Sequence, residues 1–185
     1  MLLIVAVTGM PGAGKSTAVQ GLVSLGWRRV VMGDAVREET KRRGLEPDAK
    51  NTGKVMQDLR KKLGAAAVAK LCLNAVRESG ADKVVVDGIR SMAEVEEFRK
   101  SAKVILVAVH ASPRRRYTLL KRRGRRDDPL THGMFLKRDQ REIEIGIGNA
   151  IALADEVASN ERNTPEGLSK QITEIVDRWM VSVAP

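Results

Sequence analysis

The run Gly9-Met10-Pro11-Gly12-Ala13-Gly14-Lys15-Ser16 places glycines, a lysine and a hydroxyl at the spacing G-x-x-x-x-G-K-[ST], and Thr17 follows it. This spacing suits phosphate. Glycines let the backbone wrap closely, so that successive amide N–H groups converge on an anion at a helix N-terminus. Lys15 is expected to reach the β- and γ-phosphates of ATP, and Ser16 to put its hydroxyl on Mg²⁺. Gly9, Gly12, Ala13, Gly14, Lys15, Ser16 and Thr17 are the candidate ATP-binding residues. An accidental glycine-rich turn matches this pattern in roughly one chain in a hundred of this length.

Two carboxylates and two arginines join them. Lys83-Val84-Val85-Val86-Asp87 reads as an apolar strand ending in an acid, with Gly88 leaving room beyond it. Beside a phosphate loop, Asp87 is a candidate for holding Mg²⁺ or its water shell, although Asp-Gly is also a common turn. Gly33-Asp34-Ala35-Val36-Arg37 leaves a second apolar run. Asp34 either caps a helix or faces the γ-phosphate, where it would orient or deprotonate an acceptor. Arg37 and Arg90 can each fork onto an acceptor's phosphate.

These residues need a scaffold that brings strand ends together. The clearest β-branched runs are Leu2–Val7, Val30–Met32, Val84–Val86 and Val104–Val109, with a weaker one at Glu156–Ala158. Helix patterns over 16–25, 34–42, 51–63 and 65–78 alternate with them. Ser91-Met92-Ala93-Glu94 reads as a capping box, and Ser112-Pro113 and Thr164-Pro165 as N-caps followed by proline. The alternation predicts an α/β fold, a doubly wound parallel sheet of about five strands, in which ligands sit at the C-terminal strand ends.

Composition narrows the function classes. The chain has 185 residues, one cysteine and two histidines, which excludes an internal disulfide and a Cys-rich zinc site. Cys72 lies in an apolar stretch and reads as core, and His132 as surface. No apolar run approaches the roughly 20 residues that span a bilayer, so neither a membrane span nor a membrane partner is expected. Leu2–Val7 leads straight into the phosphate loop and reads as a buried strand of a cytoplasmic protein rather than a signal peptide. The net charge of +10 calls for an anionic partner. Residues 114–138 carry net +8 and residues 139–185 net −5. With aromatics at 3%, a base-stacking surface for nucleic acid is disfavoured.

Taken together, the phosphate loop, Gly-Asp-x-x-Arg and Asp-Gly-x-Arg resemble the nucleoside monophosphate kinase group that includes adenylate kinase. Arg122-Arg123-Gly124-Arg125-Arg126-Asp127-Asp128-Pro129 resembles that group's arginine-rich lid. Ala154-Asp155-Glu156-Val157-Ala158-Ser159-Asn160 resembles the last strand and loop of dephospho-CoA kinases, which border adenine. The likeness is greatest to an archaeal family of adenylate-kinase-related P-loop proteins. It implies ATP and Mg²⁺ as cofactors and a small phosphorylated molecule as acceptor. Lys15, Asp34, Asp87, Arg123 and Arg125 would be catalytic, Ser16 and Asp87 would hold the metal, and Asn160 would sit by the adenine. Arg37, Arg90 and Arg138 would hold the acceptor. The single domain would comprise a core of residues 1–46, 79–113 and 139–185, a helical acceptor-binding insert of residues 47–78 and a lid of residues 114–138.

Three positions depart from adenylate kinases. Arg90 stands one residue nearer its Asp-Gly, Met32 replaces a threonine, and Leu119 stands where a lid arginine is usual, with Arg115 and Arg116 as neighbours able to compensate. The acceptor is open between a nucleoside monophosphate and dephospho-CoA, whose 3′-hydroxyl would be phosphorylated. The other reading is a nucleic-acid-associated P-loop ATPase. A regulatory GTPase is disfavoured because no Asn-Lys-x-Asp motif is present.

Overall fold

A computed structural model describes residues 1–124 and 128–183. Five strands, β1 Leu3–Thr8, β2 Arg28–Val31, β3 Lys83–Ile89, β4 Lys103–His110 and β5 Glu156–Ser159, form one sheet in the order β2-β3-β1-β4-β5. Every pairing is parallel. The expected doubly wound sheet is therefore present, and the apolar start is its central strand.

β1 shows why the run had to be apolar without alternation. Ile4 and Ala6 belong to one core, and Val5 and Val7 to the other, all fully buried. Burying each valine or isoleucine contributes about 1.5–3 kcal/mol, so a strand covered on both faces must be hydrophobic throughout. The Ile4 face is covered by α3 Met32–Arg42, α4 Ala49–Leu63, α5 Ala67–Glu78 and α6 Met92–Arg99. The Val5 face is covered by α1 Lys15–Ala18, α2 Gln20–Ser24 and α10 Pro165–Val183. Cys72 packs within the first core, and burial pushes its thiol up to about 12.

After β4 come α7 Pro113–Arg123, α8 His132–Ile145 and α9 Ile147–Ala152. Ser112 Oγ accepts from the Arg115 amide and Thr164 Oγ1 from the Gly167 amide, so both Ser/Thr-Pro caps form. Among the described residues, no helix is long and apolar enough to cross a membrane.

Three local expectations change. Met32 opens α3 rather than ending β2, so Asp34 lies within the helix's first turn and does not cap it; Val31 occupies the N-cap. The helix after the phosphate loop breaks at Val19 into α1 and α2. The capping box does not form. Glu94 Oε2 accepts from the Arg90 amide, one residue before the N-cap, at 2.7 Å, Ser91 makes no side-chain cap, and its buried Oγ has no partner among the described residues.

Candidate functional site

The phosphate loop joins the C-terminal end of β1 to α1, in the middle of the sheet. Its shape depends on contacts from distant chain. Asn160, just past β5, donates Nδ2 to the Ala13 carbonyl at 2.9 Å, and its own amide donates to His110 O at 2.7 Å. Gly14 has φ +102°, and a Cβ there would lie 2.5 Å from Asn160 Nδ2. Gly9, at φ +143°, would place a Cβ 2.3 Å from the Val109 carbonyl oxygen. Both positions thus exclude a side chain for steric as well as conformational reasons.

Arg116 holds the other side of the loop. It is buried, forms a two-pronged pair with Asp139 at 2.8 and 2.5 Å, and donates to the Pro11 carbonyl at 3.0 Å. Its guanidinium lies 4.9 Å from the Phe135 ring centre. In sequence, the basic run at 114–116 suits either a solvated face or a phosphate-binding role. Arg116 has neither: it is a buried staple between α7, α8 and the loop. Arg115 donates to the Asn160 and Asn163 carbonyls, both at 3.3 Å.

Lys15 folds back over the loop, with Nζ donating to Gly9 O at 2.6 Å and Met10 O at 3.3 Å. Desolvation lowers its pKa from 10.5 to about 8, against the opposing charge of Asp87. Ser16 Oγ donates to Asp87 Oδ2 at 3.2 Å, joining the two expected metal-binding residues. Their hard oxygens suit Mg²⁺, which keeps most of its ligands as water and substrate phosphate. Among the described residues no group of three or more His, Cys, Asp or Glu could hold a metal alone.

Sequence reasoning misses a third partner here. Arg29, on β2, donates to the same Asp87 oxygen, and its buried Nε has no partner among the described residues. Parallel register explains the contact. Arg29 is level with Val85, two residues before Asp87 on the same face, so a long side chain reaches upward to the carboxylate. No spacing within either segment encodes that neighbour.

A cleft of about 540 Å³ opens above the loop. Gly9, Gly12, Gly14, Lys15, Ser16 and Thr17 form its floor. Arg90, Arg123, Arg138 and Asn160 also line it. Arg123 donates Nε to Asp128 Oδ2 at 2.9 Å, and Arg138 lies 3.7 Å from Asp128 Oδ1. Buried Asp128 thus gathers two of the arginines. Arg125 lies outside the described residues. Asp34 and Arg37 pair with each other on α3, half-exposed, and do not line this cleft.

The cleft has one acidic lining residue among those described, Glu142. It is buried, and Arg90 Nε lies 3.4 Å from Oε2. Phe135, Arg138, Asp139 and Glu142 follow the i, i+3, i+4, i+7 spacing of one helix face, which turns all four inward. That periodicity is the available signal for Glu142, hidden because an acid among the charged residues Asp139, Arg141 and Glu144 reads as solvated.

Comparison with known proteins fits this geometry. A family model described as an AAA domain matches residues 8–132. A UPF0200 protein of Methanocaldococcus jannaschii is 45% identical over 171 residues, which cover 91% of this chain and 87% of that protein. The chain is an AAA-domain protein of the UPF0200 family. Of similar solved structures, a Thermus thermophilus protein superposes on 96% of the UPF0200 chain and 97% of its own, with TM-score 0.65 and 18% identity. Shikimate kinase from Bacteroides thetaiotaomicron does so over 96% and 99%, with TM-score 0.61 and 15% identity. The UPF0200 chain thus has the P-loop kinase-like fold expected from its sequence.

Proposed function

We propose that this protein transfers the γ-phosphoryl group of ATP to a small acceptor bearing a phosphate, in the manner of nucleoside monophosphate kinases. The observation that carries the reading is the convergence of Lys15, Arg90, Arg123 and Arg138 on one cleft above the phosphate loop. A hydrolase needs one phosphate-binding end. A transferase needs cations on both sides of the phosphoryl group, because charge spreads over its equatorial oxygens as it moves.

The sheet order supports a division of labour. β3 and β5 lie on opposite sides of β1. Asn160, after β5, therefore belongs to the ATP side, and Arg90, after β3, to the acceptor side. Gly9, Gly12, Ala13, Gly14, Lys15, Ser16 and Thr17 hold ATP phosphates. Arg123, with Arg125, closes over the transferring group, and Arg138 and Arg37 share the acceptor's phosphate with Arg90. Arg37 must leave Asp34 to do so. Residues 47–78 form the acceptor wall and 114–138 the lid, whose closure excludes water and suppresses hydrolysis. Mg²⁺, when bound, neutralises charge between the β- and γ-phosphates. Ser16 and Asp87 would hold it, and Asp87 must first give up its contact with Arg29.

The test is a transfer assay with γ-labelled ATP and Mg²⁺ against nucleoside monophosphates, nucleosides, dephospho-CoA and RNA ends. Label should pass to a phosphorylated small molecule, and Lys15→Ala should abolish transfer. ATP hydrolysis with no labelled acceptor would refute the reading in favour of an ATPase.

A further inference from the structure

The cleft contains one feature that a purely phosphate-gripping site does not need. Glu142 is a carboxylate on α8, 3% exposed as a residue, lining a cavity whose other described charged residues are Lys15, Arg90, Arg115, Arg122, Arg123 and Arg138. An ionised carboxylate only accepts hydrogen bonds. A phosphate oxygen beside it would be a second acceptor with the same charge, and repulsion grows as water is excluded. The atom that meets Glu142 must therefore bring a proton.

Its protein surroundings leave room for such an atom. The carboxylate meets Arg90 Nε at 3.4 Å, a long ion pair. Neither carboxylate oxygen is sealed off as an unsatisfied buried atom, in contrast to Ser91 Oγ close by. The end of α8 lies beside the β3–α6 corner: at Gly146, with φ +108°, a Cβ would come within 3.9 Å of both the Arg90 carbonyl and Ser91 Cβ. Glu142, one turn earlier, is buried and meets Arg90 there. Glu142 shares the cleft with Lys15 and meets Arg90, which follows β3 on the side of β1 away from β5.

We propose that Glu142 receives the proton of an acceptor hydroxyl, so that the group phosphorylated is an alcohol carried by a phosphorylated small molecule, not the phosphate itself. This rests on the transferase reading above and, of the two acceptor classes open in the sequence, takes the alcohol over the phosphate that a nucleoside monophosphate kinase would use. The acceptor O–H donates to a Glu142 oxygen, and the hydroxyl oxygen attacks the γ-phosphorus. The bond from that phosphorus to the β,γ-bridging oxygen breaks, ADP leaves with that electron pair, and Glu142 later returns the proton to solvent. Arg90, held at Glu142, grips the acceptor's existing phosphate and keeps the alcohol in reach. The task expected of Asp34 from sequence thus passes to a residue that lines the cleft, which Asp34 does not.

The experiment follows the transfer reaction by ³¹P NMR, using ATP, Mg²⁺ and two acceptors: dephospho-CoA, which offers a 3′-hydroxyl, and a 2′,3′-dideoxynucleoside monophosphate, which offers only its phosphate. The wild-type protein should form a new phosphomonoester with the first and no phosphoanhydride with the second. Glu142→Gln should lower kcat about 100-fold or more and leave ATP affinity and acceptor KM within about twofold. Glu142→Asp should recover part of the rate. Thermal melts of both variants control for folding. An anhydride product would overturn the proposal while leaving the transferase reading intact. So would a Glu142→Gln protein whose acceptor KM rises while kcat is unchanged, because that marks a residue that merely holds Arg90. ATP hydrolysis without transfer to either acceptor or to the wider panel would instead sink the transferase reading.

Discussion

Lys15 gives the sharpest quantitative test, because its environment before nucleotide arrives is the opposite of the one it must serve. In the free protein its pKa is about 8 rather than 10.5, chiefly from desolvation. Phosphate contact requires the ammonium form. At pH 9 about nine-tenths of free sites would hold a neutral Lys15, so binding must first take up a proton. ATP affinity should then be nearly flat up to about pH 7.5 and weaken about tenfold per pH unit above pH 8. Calorimetric titration in two buffers of different ionisation enthalpy should show about 0.9 proton taken up per nucleotide at pH 9 and about 0.1 at pH 7. Lys15→Arg, charged throughout this range, should lose the uptake. The free protein supplies an independent sign check. Between about pH 8 and pH 10.5 the unfolded chain holds this proton and the native one does not, so this group makes stability rise with pH there. Tight binding at pH 9 with no proton uptake would refute the argument, as would an identical pH dependence in Lys15→Arg.

Three other outcomes follow from the geometry. Gly14→Ala forces a Cβ against Asn160 Nδ2, so nucleotide affinity should fall at least tenfold while the melting temperature drops only modestly; calorimetry beside a thermal melt would show whether the two losses separate. Arg116→Met strands Asp139 and the Pro11 carbonyl and should cost about 3–5 kcal/mol in denaturant unfolding, whereas loss below about 1 kcal/mol would contradict its role as a buried staple. Glu39 accepts from Arg42 and Arg43, and these bonds lower its pKa from 4.5 to about 2. Its stabilisation should be complete above about pH 4.5 and fade as pH falls towards 2, and Glu39→Gln should flatten that part of the stability profile.

The sheet is legible in the sequence because its central runs are buried on both faces, and a continuous apolar string such as Ile4–Val7 suits little besides a strand covered from both sides. The phosphate loop is legible because its chemistry sits within eight consecutive residues. What escapes depends on proximity between elements. Arg29 meets Asp87 through strand register, and Glu142 meets Arg90 through the angle at Gly146, neither of which leaves a mark in local spacing. The capping box at Ser91 misleads because its partners are taken. The Arg90 amide and the Arg60 guanidinium occupy the Glu94 oxygens at 2.7 and 3.1 Å, and the Glu94 amide donates to the Ser91 carbonyl at 3.2 Å rather than to its hydroxyl. The place of Asp34 and Arg37 after a strand points them at the cleft, but one turn of helix lets them satisfy each other.

The bond from Asn160 to Ala13 spans 147 residues of sequence, and it sets an order of events during synthesis. The groups that hold the loop's shape, Arg116 and then Asn160, leave the ribosome more than a hundred residues after the loop itself. α10, which covers the Val5 face, comes later still. A nascent chain halted before β5 would carry every glycine of the motif without a settled cradle. Competence to hold ATP would then emerge abruptly once β5 and Asn160 have been made.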